Sequence, residues 1–87
     1  MNSKNRSTLE ALFEKPIRSD IRWKDVEMLF RACGARVSEG RGSRVRIELN
    51  NKKITLHKPH PHKEISKFSV AGLSTFLKSL EIYHHDL

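Results

Sequence analysis

The sequence predicts an α+β domain of two layers, a three-stranded antiparallel sheet with flanking helices in the order α-β-β-β-α, with a short extra N-terminal helix in front. Three observations carry this. Apolar residues recur every three or four positions up to Gly34, every second position in Ala35–Val37, Val45–Leu49 and Ile54–Leu56, and every three or four again from Val70. The alternating run is broken by Asn50-Asn51, and Asn tolerates the positive φ that a two-residue hairpin turn requires. A chain of 87 residues buries only about 60–65% of its unfolded surface, enough for one modest core. Residues 1–87 are therefore read as one domain, with 1–20 as an N-terminal extension and 83–87 as a frayed tail.

Each element follows from its spacing. Leu9, Leu12 and Phe13 give a short first helix that Pro16 ends, and Trp23, Val26, Phe30 and Cys33, with Leu29 beside them, give a second that Gly34 stops. Ala35 and Val37 suggest a first strand, and Gly40-Arg41-Gly42-Ser43 a turn. The Asn-Asn turn then fixes the hairpin register. Val45 faces Leu56, Ile47 faces Ile54 and Leu49 faces Lys52 on the buried side, while Arg44 faces His57, Arg46 faces Thr55 and Glu48 faces Lys53 on the other. Prolines at 59 and 61 hold the next segment extended outside the sheet. Val70, Leu73, Leu77 and Leu80, widened by Phe76, make the stripe of a last helix, and Gly72 within it suggests another backbone packed close. Phe13, Trp23, Phe30, Phe68 and Phe76 are read as core or near-core, which leaves the outer sheet face without an aromatic residue.

The charge is uneven. Of the formal +7, most lies between Gly34 and Lys67, where Arg36, Arg41, Arg44, Arg46, Lys52, Lys53, Lys58, Lys63 and Lys67 meet only Glu39, Glu48 and Glu64. Such a surface favours a phosphate backbone as partner. The short length excludes a large cofactor-dependent enzyme, and no cofactor is expected. No run approaches the roughly 20 apolar residues that span a bilayer, and the first residues lack the apolar stretch of a secretory signal, so a cytoplasmic protein with no membrane partner is expected. The single cysteine, Cys33, excludes an intrachain disulfide, and on an apolar helix face it reads as a small core residue.

Histidine supplies the step from binding to chemistry. His57, His60 and His62 lie within six positions, and an unperturbed imidazole can both take and give a proton near neutral pH. Metal-free RNA cleavage needs a base for the 2′-hydroxyl, an acid for the leaving oxygen and cations for the charged phosphorane. Arg44, Arg46 and Lys53 on the sheet face, with Lys58, His62 and Lys63 in the loop, have the reach to hold phosphates, and Ser43 ends a turn whose backbone N–H groups could cradle one. The loop has no Asp or Cys and no zinc spacing, with Glu64 the only nearby carboxylate, so no metal site is expected. The alternative is a basic face that binds RNA, or a protein partner, without catalysis.

From Ile21 to Ile82 the order of motifs resembles the HicA family of toxins from bacterial toxin-antitoxin pairs. It comprises Trp23-Lys-Asp-Val, Cys33-Gly-Ala, Glu39-Gly-Arg-Gly-Ser-Arg and Pro59-His-Pro-His-Lys-Glu. The resemblance implies a fold like a double-stranded-RNA-binding domain, messenger-RNA endonuclease activity that does not need the ribosome, and a HicB-type antitoxin that covers the active face. It also implies a catalytic histidine directly after Gly42-Ser43, a position that Arg44 fills here. With that histidine replaced, His57, across the hairpin from Arg44, or His60 is expected to transfer the protons, and Arg44 and Arg46 to hold the scissile phosphate.

Overall fold

The computed structural model describes residues 1–60 and 62–83. Its elements are α1 (Ser3–Phe13), α2 (Trp23–Ala32), β1 (Arg36–Glu39), β2 (Arg44–Leu49), β3 (Lys52–His57) and α3 (Lys67–Ser79). The strands form one antiparallel sheet in the order β1-β2-β3. The order α-β-β-β-α, preceded by a further helix, is that predicted from the sequence.

Local chemistry sets the boundaries. The Asn2 side chain accepts the Asn5 N–H at 2.7 Å to start α1, and Ser66 Oγ accepts the Ser69 N–H at 3.1 Å to start α3. Gly34, at φ +89, ends α2 in the left-handed conformation that costs glycine least. Asn50 and Asn51 both take positive φ, 51° and 66°, as a two-residue turn between right-twisted strands demands. The register of β2 on β3 is the one the turn predicts, Arg44 opposite His57 through Leu49 opposite Lys52. β1 adds Arg36 opposite Glu48 and Ser38 opposite Arg46, extending the polar face.

One apolar cluster ties the layers together. Val45, Ile47 and Leu56 from the sheet meet Val26, Leu29 and Phe30 of α2 and Val70, Leu73 and Leu77 of α3, with the Phe30 and Phe76 rings 6.2 Å apart. Leu9 of α1 has no solvent exposure and Leu12 is nearly as buried, and α1 packs on both α2 and α3. The N-terminal segment is thus part of the core.

Three expectations need correction. Phe68, read as core or near-core, is 89% exposed. It stands about 200° round the helix from Val70, so the burial stripe of α3 turns it outward. Gly72 does not mark a close backbone. A Cβ there would sit 3.6 Å from Ile54 Cδ1, an ordinary side-chain contact. Tyr83, assigned to a frayed tail, is half-buried and its ring stacks on Phe13 with centroids 6.0 Å apart, while residues 84–87 of that tail lie outside the described residues.

Candidate functional site

The site is built where β3 ends. After His57 the Lys58 N–H donates to the Ser43 carbonyl, which ties the exit of β3 to the turn before β2. The chain returns at Lys63–Ile65, where the Trp23 N–H donates to Lys63 O at 3.0 Å and the Ile65 N–H to Ile21 O at 2.8 Å. Arg22 and Glu64 form the antiparallel bridge between them. Both ends of the histidine-bearing loop are therefore fixed, one to the sheet and one to the start of α2.

Just upstream of this clip, Arg18 donates to both carboxylate oxygens of Asp20, at 2.8 and 2.9 Å, and to Glu14 at 2.7 Å. The hydrogen bonds from Arg18 hold the Asp20 carboxyl below the usual range and push the guanidinium itself higher. The net orders the segment that carries Ser19 to the site's edge.

Between the loop, the end of β3 and the start of α3 lies an open groove of about 490 Å³. His57, His60 and His62 line it together with Lys58 and Lys67, and Glu64 is its one carboxylate among the described residues. Pro59 and Ile65 add apolar wall, and Ser19 and Ser66 add hydroxyls. Lys58 Nζ lies 3.7 Å from Glu39 Oε2, a solvent-screened pair that holds the ammonium group only weakly.

The other sequence-predicted residues distribute around this groove. Ser43 lines a depression of about 280 Å³ with Lys58, Pro59 and His60. Arg44 and Arg46 line a separate one of about 200 Å³ with Arg41 and Thr55 on the outer sheet face. His62 and Lys63 share a third, of about 330 Å³, with Arg22, Trp23 and Lys24. Arg44 stays beside the groove through its ladder partner His57. Lys53 does not: four residues of strand set it about 13 Å from His57, towards the far end of the hairpin.

Sequence reasoning missed Lys67, Ser19 and Lys24. Lys67 is the first residue of α3 after the Ser66 cap, a position the capping pattern alone could have pointed to. Ser19 and Lys24 arrive only through the pairing of residues 21–23 with 63–65, which leaves no local signal.

The arrangement suits proton transfer on a polyanion. Imidazoles and ammonium groups line one open groove. Among the described residues no group of three or more His, Cys, Asp and Glu side chains is placed to hold a metal ion. Cys33 is half-buried and burial pushes its thiol up, away from the thiolate that a nucleophile needs. None of the described helices is long and apolar enough to cross a membrane.

A family model describing the HicA toxin of bacterial toxin-antitoxin systems matches residues 23–82, well over half of the chain. The chain belongs to the HicA toxin family. The match takes in α2, all three strands, the histidine-bearing loop and α3, and begins after α1. No curated protein and no solved structure matches the chain. Membership makes this HicA-family protein the toxin of a toxin-antitoxin pair and implies an antitoxin as its partner.

Proposed function

We propose that this HicA-family toxin is a metal-independent endoribonuclease that binds and cleaves messenger RNA in the cytoplasm. The observation that carries the proposal is the convergence of His57 and His60 on one groove walled by Lys58 and Lys67. One imidazole takes the proton of a 2′-hydroxyl, and the freed oxygen attacks the neighbouring phosphorus. The other gives its proton to the departing 5′-oxygen, leaving a 2′,3′-cyclic phosphate and a 5′-hydroxyl. Lys58, Lys67 and the cation of Arg44 opposite His57 offset the charge that builds on the phosphorane. Arg46, His62 and Lys63 hold flanking phosphates, Ser43 contributes a polar group beside His60, and Lys53 makes an outlying contact.

On this reading residues 1–87 act as one unit, a platform like a double-stranded-RNA-binding domain, and a HicB-type antitoxin silences the protein by covering the groove. A second reading is favoured by one observation. Arg44 stands where the resemblance implies a catalytic histidine, and a chain that lost catalysis with that residue would keep only RNA or antitoxin binding.

The test is incubation of the purified protein, freed of antitoxin, with a long single-stranded RNA in excess chelator. The proposal expects products with cyclic-phosphate or phosphate 3′ ends. Binding without cleavage, with or without divalent metal, would replace it with the second reading.

A further inference from the structure

Phe68 is the one aromatic side chain of α3 that the fold leaves unused. The large hydrophobic residues exposed among those described are Met1, Met28 and Phe68, at 49%, 41% and 89%. Met1 precedes α1 and Met28 lies on α2. Phe68 instead has cationic company: Lys67 before it lines the groove with His57, His60 and His62.

The position is fixed from both sides. Ile65 is hydrogen-bonded to Ile21, Ser66 caps the helix through the Ser69 N–H, and Ser69 itself is buried. The Phe68 backbone is therefore held, and its ring has only two side-chain torsions left to order on binding.

We infer that Phe68 stacks on an unpaired base of an RNA whose phosphates occupy the histidine groove. The inference rests on the RNA-cleaving reading above and adds to it a contact that favours single-stranded substrate. Every base has a π-face, and an exposed aromatic beside a cationic track is the arrangement by which single strands are bound without sequence readout. In a duplex those faces are covered by neighbouring bases. A base is favoured over a protein partner as occupant, because the ring directly follows Lys67, which lines the groove with His57, His60 and His62.

The test is equilibrium binding of a 2′-O-methyl RNA oligonucleotide, which lacks the attacking hydroxyl, by the full chain and by Phe68→Tyr, Phe68→Leu and Phe68→Ala. Thermal melts of the variants are expected to match the unaltered protein, since the ring is outside the core. Phe68→Tyr should bind like the unaltered protein, and Phe68→Leu and Phe68→Ala about 5- to 150-fold more weakly, the range of one base–aromatic stack. The salt slope should not change, because no phosphate contact is lost. On an abasic strand of the same length all four proteins should bind alike.

If Phe68→Leu binds as tightly as the unaltered protein, or loses as much on the abasic strand, stacking is overturned. If Phe68→Ala keeps RNA affinity but loses affinity for the antitoxin, the ring is a protein-docking residue and the inference falls. Failure of the unaltered protein to bind the oligonucleotide at low salt would instead overturn the RNA reading itself, with or without Phe68.

Discussion

Replacing Leu9 by alanine tests whether α1 is a working part of the fold, although the family match begins only at residue 23. The side chain has no solvent exposure and belongs to the same cluster as Phe30 and Leu73. Removing three buried carbons forfeits about 2.4 kcal/mol of transfer free energy at about 0.8 kcal/mol each, and the cavity left behind brings the cost to roughly 3–5 kcal/mol. An 87-residue chain has only roughly 4–13 kcal/mol in hand, so the loss is a large share of the total. Urea unfolding followed by circular dichroism should show the midpoint fall with the slope unchanged. A loss below about 1 kcal/mol, or an early separate transition for α1 with the rest intact, would refute the argument that α1 completes the core.

Other outcomes follow from single contacts. Gly72→Ala should stabilise the protein by about 0.5–1 kcal/mol, since the new methyl group meets Ile54 at ordinary contact distance and helix propensity improves. A Tm rise of several degrees checks it. Lys67→Gln should weaken RNA binding similarly for all sequences and lower the salt slope by about one, as measured in a salt titration. Cys33 should react with iodoacetamide more slowly than a free cysteine at pH 8 and reach the free rate in urea, because burial raises its thiol and so reduces the thiolate fraction of the folded protein.

The elements that could be read from sequence are those whose signal is local. The hairpin register follows from Asn50-Asn51 and strict alternation, and a one-residue slip would have turned Val45, Ile47 and Leu56 to solvent. The helices followed from apolar spacing and from the stops at Pro16 and Gly34. Phe68 is apolar, but its angle on the helix separates it from Val70 and Leu73, and apolarity alone does not carry that angle. Gly72 was misread because spacing cannot say whether a backbone or a side chain approaches it. The histidine cluster was visible as a run in the sequence, but the walls of its groove were not. Ser19 joins it only through the long-range pairing of Ile21 and Trp23 with Ile65 and Lys63, and Lys67 through the start of α3 that Ser66 caps. Such pairing leaves no pattern within either segment, which is also why the support that residues 21–22 give the loop went unpredicted.

Imidazoles in the groove are proposed to move the protons of RNA cleavage. Single-turnover cleavage of one RNA by the unaltered protein, His57→Ala and His60→Ala, in chelator and at matched RNA occupancy, tests it most directly. Both variants are expected to bind RNA, and at least one to lose about 100-fold or more in rate, the contribution of a positioned general acid or base. Cleavage by both variants at the unaltered rate would contradict it.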